Sequence, residues 1–318
     1  MFIITAITEK DFDKIILEDK ISGTALSITP ACGAIIQAFS VPHNGGILNV
    51  IENYQDKDDF KKNVEAKGFR GTKLSPFVCR LKKGEYIFAA EEYKIKKFYL
   101  DKNAIHGLLY NAVFVISHQS ATHESATVTM KHEYRGEDTG YPFHYDCIIS
   151  YQLKKGNEVV VTTEIINRDK GTIPMADGWH PYFTFSNNIN DLQLEFQSLE
   201  MLEFDGELIP TGKLIPYQEF TVLKKINNVF FDNCFTLNFA TCQPMLVLRD
   251  SKNKIQLEVY PDTTYPYLQL YTPQHRKSIA IENLSAAPDA FNNGIGLKTL
   301  TAGEHSFFKT TYKISSLA

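Results

Sequence analysis

The sequence predicts an all-β protein, built as one large antiparallel β-sandwich. Short runs rich in Val, Ile, Thr and aromatic residues recur along its 318 residues, and Gly, Pro, Asn or Asp separates most of them. Helical periodicity is rare, and its best example is a charged run at residues 58–66. Many short strands with turn signals at fairly even spacing are typical of a sandwich.

The elements follow from local patterns. Residues 58–66 end at Gly68 and predict a short surface helix. Residues 126–134 alternate apolar and polar side chains, as a half-buried strand does. Lys154-Lys155-Gly156-Asn157 has hairpin chemistry, because Gly and Asn tolerate positive φ. Strands are predicted at residues 24–29, 86–89, 112–118, 126–134, 144–153, 158–167, 192–196, 235–239, 245–249, 255–260, 267–271, 278–282 and 306–314.

Composition limits the organisation and the partners. The length alone suggests about two domains. No linker, repeat or low-complexity tract divides the chain, so a single domain over residues 1–318 is predicted. The net charge is −4 and charges of both signs are interspersed, which argues against a nucleic-acid surface. No stretch approaches the length of a membrane span. A small-molecule partner is expected, with the protein a monomer or a homodimer.

Cysteine usage indicates the compartment. The number of cysteines is odd, their spacing is wide and no CxxC occurs, so neither a disulfide framework nor a zinc knuckle is predicted for Cys32, Cys79, Cys147, Cys234 and Cys242. Reduced thiols in the cytoplasm are the simplest interpretation. The N-terminus lacks the basic region and the long apolar core of a signal peptide.

No metal or nucleotide cofactor is predicted. The spacing of His118, His123 and His132 matches no zinc signature. The chain has no P-loop, no dinucleotide-binding glycine fingerprint and no GxSxG elbow.

The most informative stretch is Asp177-Gly178-Trp179-His180-Pro181-Tyr182-Phe183, which holds the only Trp. A residue before proline is pushed towards extended backbone, so His180 is expected at a strand end or on a loop. Flat aromatic side chains beside one imidazole suit a sugar ring, which has an apolar face and a polar rim. The alternative is a core aromatic cluster with a satisfied histidine.

Four other residues are candidates for chemistry, each with a structural alternative. Arg80 could hold substrate oxygens with its fork of donors, or pair with a carboxylate on an edge strand. His106, before Gly107, could face a ligand or occupy a turn. Asp232 could bind a ligand or cap an Asx turn. Glu282, ending the apolar strand 278–282, could be a partly desolvated general base or an exposed strand-end residue.

In their order along the chain, these motifs resemble the aldose 1-epimerase (galactose mutarotase) family, over roughly residues 70–295. The resemblance rests on Ser75-Pro76-Phe77 with Arg80 and Gly84, Ile105-His106-Gly107, Gly140-Tyr141-Pro142-Phe143, His180-Pro181-Tyr182-Phe183, Phe231-Asp232-Asn233-Cys234-Phe235, Tyr271-Thr272-Pro273, Ile279-Ala280-Ile281-Glu282 and Ala287-Pro288-Asp289-Ala290-Phe291-Asn292. Departures from the family pattern are Cys79, where Asn is frequent, Leu108-Leu109-Tyr110 after the histidine motif, and Asn283, where Pro is common.

The resemblance implies a galactose mutarotase-like sandwich that interconverts the α and β anomers of a free hexose, with no cofactor and no metal. It implies Glu282 as the base and His180 as the acid that protonates the ring oxygen, facing each other with room for one pyranose between them. His106 would bind the ring oxygen or a neighbouring hydroxyl. Arg80 and Asp232 would bind hydroxyls. Trp179 or Phe183 would pack against the sugar ring.

Two alternatives remain open at the level of sequence. The first is an epimerase of phosphorylated hexoses from the same superfamily, which needs a cationic cluster for the phosphate. Lys82 and Lys83 lie near Arg80 in sequence. The second is a non-catalytic sugar-binding sandwich, since aromatic walls and polar rims also serve binding modules. A binding module does not need both an acid and a base.

Overall fold

Antiparallel strands make up almost all of the regular structure in a computed structural model that describes residues 1–9, 12–185, 188–241 and 243–317. The first half of the chain contains β1 (Phe2–Glu9), β2 (Phe12–Asp19), β3 (Thr24–Thr29), β4 (Ile35–His43), β5 (Gly46–Asn49), α1 (Lys57–Asn63), β6 (Lys73–Leu74), β7 (Arg80–Leu81), β8 (Glu85–Phe88), β9 (Glu91–Lys94), β10 (Tyr99–Leu100), β11 (Asn103–Ile105), β12 (Val115–Ala121), β13 (Ser125–Arg135), β14 (His144–Lys154) and β15 (Glu158–Asn167).

The second half contains β16 (Ile173–Met175), β17 (Gly178–Trp179), β18 (Tyr182–Phe183), β19 (Gln193–Phe196), β20 (Glu200–Phe204), β21 (Pro210–Pro216), β22 (Lys224–Lys225), β23 (Asp232–Thr236), β24 (Leu246–Asp250), β25 (Ile255–Pro261), β26 (Tyr267–Tyr271), β27 (Ile279–Leu284), α2 (Ala290–Asn293), β28 (Lys298–Leu300) and β29 (His305–Ser316). Single 3₁₀ turns lie at Lys82–Gly84 and Ile189–Asp191.

Two large sheets form the sandwich. A nine-stranded sheet has the order β12-β13-β14-β15-β29-β25-β24-β19-β22, and an eight-stranded sheet has the order β21-β20-β23-β26-β27-β17-β6, with β18 also paired to β27. The first five strands form a separate sheet in sequence order, β1-β2-β3-β4-β5. The two large sheets contact each other through Phe183 and Tyr312, whose ring centroids are 5.3 Å apart, and through the Thr310 hydroxyl, which donates to Asn283 Oδ1 at 2.8 Å.

The predicted all-β class is confirmed, and several strands lie where the sequence indicated. β3 has the predicted bounds. The hairpin of β14 and β15 turns through Gly156 and Asn157, whose φ values are 79° and 56°. The single-domain organisation of residues 1–318 stays a prediction.

Some predicted bounds are wrong. The strand predicted at 112–118 lies at Val115–Ala121, and that predicted at 235–239 lies at Asp232–Thr236. The predicted helix spans Lys57–Asn63, because the Asp56 carboxylate accepts a hydrogen bond from Asp59 N at 2.8 Å and so caps its start. No helix in the described part of the chain combines the length and the apolarity needed to cross a bilayer.

A buried ion pair ties the central aromatic stretch to its neighbouring strand. Lys73 on β6 lies opposite Trp179 on β17, and its ammonium is 2.6 Å from the Asp177 carboxylate. Both side chains are fully buried. The Tyr265 hydroxyl also donates to Asp177 at 2.7 Å, and the Lys73 ammonium lies 4.5 Å from the centroid of the Trp179 ring. This ion pair holds β17, the strand that leads into His180, against β6.

Lys73→Met should destabilise the protein by about 3–5 kcal/mol, because the Asp177 carboxylate would stay buried without its counter-ion. Chemical denaturation, monitored by tryptophan fluorescence, measures the loss in the free energy of unfolding. The double variant Lys73→Met/Asp177→Asn should recover part of it, since the unpaired charge is removed. A loss below about 1 kcal/mol in Lys73→Met would contradict this account.

Candidate active site

Three neighbouring strands line up polar side chains on one face of the eight-stranded sheet. Glu282 on β27 pairs opposite Gln269 on β26, and Gln269 pairs opposite Cys234 on β23. Asp232, two residues before Cys234, points to the same face because side chains alternate along a strand. The Gln269 amide donates to Asp232 Oδ1 at 2.9 Å. This face therefore presents two carboxyl groups and an amide side by side.

His180 reaches the same place from the segment between β17 and β18. Its backbone N–H donates to Thr72 O at 3.1 Å, and its carbonyl accepts from Gly71 N at 2.8 Å. The imidazole stacks on the Tyr182 ring at 5.1 Å between centroids and 6° between planes. Its Nε2 lies 3.4 Å from Glu282 Oε1. The candidate acid and the candidate base are thus nearly in contact.

His106 and Arg80 enter from two adjoining strands. His106 has φ 59°, and its backbone N–H donates to Cys79 O at 2.9 Å. A Cβ on the next residue, Gly107, would lie 2.2 Å from Ser75 O, so only glycine fits beside this histidine. The His106 ring lies 4.9 Å from the His180 ring, edge to face. No acceptor among the described residues binds the Arg80 guanidinium, which lines the cavity and so has donors available to a ligand.

All five predicted polar candidates line one cavity of about 270 Å³. This volume is close to the lower end of the range for ligand pockets, about 300–1,000 Å³. The walls between the polar groups are aromatic or apolar. The five residues, with the principal neighbours that the sequence did not single out, are Arg80, His106, His180, Asp232, Glu282, Phe69, Tyr182, Gln269 and Tyr271.

Burial shifts the pKa values of the titratable side chains that line this cavity. Burial, and then the nearby Asp232, raises the pKa of Glu282 well above its ordinary value, although Arg80 partly offsets this. Burial lowers the pKa of His180 to about 3. Burial, and then the proximity of His180 and Arg80, lowers the pKa of His106. Both shifts favour the uncharged forms, a protonated Glu282 beside a neutral His180 imidazole.

Several buried polar atoms of this cavity have no hydrogen-bond partner among the described residues. They are His106 Nδ1, His180 Nδ1, Gln269 Oε1 and Glu282 Oε2. A buried polar atom without a partner costs about 1–3 kcal/mol. A ligand rich in hydroxyl groups can donate to or accept from each of them, after small adjustments of the walls.

The expectation for Trp179 and Phe183 requires a correction, because neither residue lines the cavity. Trp179 precedes His180 and points to the opposite face, where it lies over Lys73. Phe183 follows Tyr182 and packs in the core. Alternation along extended backbone sends His180 and Tyr182 to one side and their neighbours to the other. Tyr182 could have been found from its i+2 spacing to His180.

The expected arrangement of a sugar between His180 and Glu282 is also wrong. A separation of 3.4 Å between their side chains leaves no space for a ring. A ligand in this cavity must instead lie over both groups and contact each from the same side. Gln269 was not singled out, and Tyr271 appeared in a motif without a role in the site, because their place in the cavity follows from strand register.

The departures from the family pattern lie in different places. The Cys79 thiol lines the cavity, and Leu108 and Asn283 are buried outside it. Cys32, Cys79, Cys147 and Cys234 are free thiols, and Cys242 lies outside the described residues. In the described ranges, no three or more His, Cys, Asp or Glu side chains are grouped so that they could hold a metal ion.

The fold is that of galactose mutarotase-like proteins. A solved structure of such a protein from Clostridium acetobutylicum superposes with a TM-score of 0.86 over 99% of each chain, at 16% identity. At this identity the likeness shows the fold alone, and it confirms the predicted type of sandwich.

Sequence comparison identifies the family. The family model described as aldose 1-epimerase matches residues 14–313. An aldose 1-epimerase of Streptococcus thermophilus is 26% identical over 81% of this chain and 77% of its own length, and a maltose epimerase of Levilactobacillus brevis is 23% identical over 80% and 78%. The chain belongs to the aldose 1-epimerase family and is an enzyme of the isomerase class, as the motifs predicted.

Asp232→Asn should lower the pKa of Glu282, because the negative charge of Asp232 is one cause of its elevation. Carbon-13 NMR titration of glutamate carboxyl groups, with the Glu282 signal assigned by its loss in Glu282→Gln, measures this pKa. Asp191→Asn, an exposed change on another part of the surface, is the control. An unchanged or higher pKa of Glu282 in Asp232→Asn would show that the charge of Asp232 does not raise it.

Proposed function

We propose that the protein interconverts the α and β anomers of a free aldose by acid–base opening and closure of the sugar ring. The observation that carries the proposal is the pair of His180 Nε2 and Glu282 Oε1, 3.4 Å apart in a buried cavity of about 270 Å³. Ring opening needs one proton removed from the C1 hydroxyl and one delivered to the ring oxygen. An adjacent acid and base over one ring can do both.

In the reactive form, Glu282 is a carboxylate and His180 is an imidazolium, so the pair carries one proton. Glu282 takes the proton of the C1 hydroxyl, the bond between C1 and the ring oxygen breaks, and His180 gives its proton to that oxygen. The products are the open-chain aldehyde, a protonated Glu282 and a neutral His180. Rotation about the C1–C2 bond and reversal of the proton transfers close the ring on the other face.

The pKa values of the empty cavity suit this cycle. The neutral pair that burial favours is the same protonation state that ring opening produces. To start a cycle, the proton held by Glu282 must pass to His180, and the two groups are near enough for a small movement to achieve it. Sugar hydroxyls that donate to the carboxylate would stabilise its charged form. Positioned acid–base transfer typically contributes about 10²–10⁴-fold in rate.

The other polar residues are assigned to binding. Arg80, whose guanidinium has no acceptor among the described residues, can donate to hydroxyl oxygens, and Asp232, supported by Gln269, can accept from a hydroxyl. His106, held beside His180 by its strained backbone, can bind the ring oxygen or a neighbouring hydroxyl. Tyr182, Tyr271 and Phe69 supply the aromatic walls that were predicted for Trp179 and Phe183.

A phosphorylated sugar is less well supported. Among the described residues that line the cavity, Arg80 is the one Lys or Arg, and Glu65, Asp232 and Glu282 are acidic. Lys82 and Lys83 are exposed and do not line it. A phosphate would need a cluster of cations. The substrate is therefore assigned to neutral aldoses, in line with the relatives named aldose 1-epimerase and maltose epimerase.

Glu282→Gln should lower the rate of anomer exchange by at least about 10²-fold, because the amide cannot accept the C1 proton as a base. His180→Asn should have a loss of similar size. Polarimetry of freshly dissolved α-D-glucose and α-D-galactose measures the rates, and circular dichroism checks the fold.

Glu91→Gln, which changes an exposed carboxylate outside the cavity, is the matched control and should keep the wild-type rate. Near-normal turnover in Glu282→Gln would remove this residue from the mechanism.

A further inference from the structure

Tyr182 presents the flat face of its ring to the imidazole of His180. The two ring centroids are 5.1 Å apart, and the ring planes differ by 6°. The face of an aromatic ring carries negative electrostatic potential. We propose that Tyr182 is a positioning residue that stabilises the His180 imidazolium by a cation–π contact, and so sets how much of the enzyme carries the proton given to the sugar. The proposal rests on the proposed function and deepens its mechanism.

The cavity offers this imidazolium few other favourable contacts. Burial lowers the pKa of His180 to about 3, so the charged acid needs compensation. The Glu282 carboxylate lies 3.4 Å from Nε2, but Nδ1, which also carries a hydrogen in the imidazolium, has no acceptor among the described residues. The His106 ring contacts His180 edge to face at 4.9 Å. The other titratable groups that line this cavity are Glu65, Cys79, Arg80, Asp232 and Tyr271.

The Tyr182 ring is held in place beside His180. Its hydroxyl donates to Gly68 O at 2.7 Å, and the residue is 1% exposed. Gly68 has φ 69°, and a Cβ there would lie 2.4 Å from that hydroxyl, so glycine suits both the backbone and the contact. Tyr182 also pairs opposite Ala280 on β27, the strand that carries Glu282. The aromatic face therefore keeps its position relative to both members of the acid–base pair.

A second cation near the ring has its own counter-ion. The Arg70 guanidinium lies 5.9 Å from the centre of the Tyr182 ring, and 3.0 Å from the Glu52 carboxylate. Its charge is thus largely compensated. A desolvated contact between a cation and an aromatic face corresponds to about a 30-fold change in an equilibrium constant. The population of the His180 imidazolium, and with it kcat, should respond on this scale when the face of the ring loses its negative potential.

The test is a series of rings of nearly equal shape at position 182. Tyr182→Phe is compared with variants that carry mono-, di- and trifluorinated phenylalanine at this position, because each fluorine withdraws electron density from the face of the ring. NMR exchange spectroscopy gives kcat and KM for the anomers of glucose. We expect kcat to fall stepwise, by about tenfold from phenylalanine to the trifluorinated ring, while KM stays nearly constant. Circular dichroism checks the fold of each variant.

The same fluorinated residues at Phe183 are the matched control. This neighbour packs in the core against Tyr312 and lies outside the cavity, so the wild-type kcat should persist. Tyr182→Leu, which removes the aromatic face, should lower kcat at least as far as the trifluorinated ring does.

Two results would overturn the proposal while leaving the proposed function intact. They are an equal kcat along the whole series at position 182, or a loss that appears only in KM, since the ring would then serve only as a wall for the sugar. Absence of anomer exchange in the wild-type protein with every aldose would instead overturn the proposed function, and the role of Tyr182 with it.

Discussion

The alternation of side chains along extended backbone is the constraint on which this site depends. On β27, Ile279 and Ile281 point into the core between the sheets. Glu282 is the next residue after Ile281, so its side chain points to the opposite face of the sheet. The same rule operates after β17, where burying Trp179 over Lys73 turns His180 towards Glu282. The packing of the sandwich therefore determines which side chains point into the cavity. The site requires no long loop to bring its acid and its base together.

Burial then gives these groups their chemistry. An exposed glutamate would be ionised at neutral pH, and it would be a weak base. Inside the cavity, burial and Asp232 raise the pKa of Glu282, while burial lowers that of His180. The two shifts have opposite signs, and both favour the state in which the single proton of the pair sits on Glu282. Ring opening and closure needs such a pair, since each half-reaction moves one proton onto the sugar and one off it.

The sequence predicted the class of fold, most of the long strands and the five polar residues that line the cavity, because these depend on local patterns or on short motifs. It did not predict Gln269 or Tyr271, whose positions follow from the register of β23, β26 and β27. It misassigned Trp179 and Phe183 because the sequence alone does not show to which face of the sheet an aromatic side chain next to His180 points. That orientation follows only once the strands are known. The β1 and β2 strands were missed for different reasons. β1 is mostly apolar but has Phe2 as its one buried side chain among those described, so it shows no alternation, and in β2 charged residues break the apolar pattern.

The most direct test of the central claim is two-dimensional NMR exchange spectroscopy of α- and β-glucose with the wild-type protein in D₂O. Proton transfer through His180 and Glu282 breaks the O–H bond of the C1 hydroxyl and the bond between C1 and the ring oxygen, and leaves the C1–H and C2–H bonds intact. The account predicts exchange cross-peaks between the two anomeric protons that grow with protein concentration, with no deuterium incorporated at C1 or C2. Absence of these cross-peaks for every aldose tried, or deuterium at C2, would contradict it.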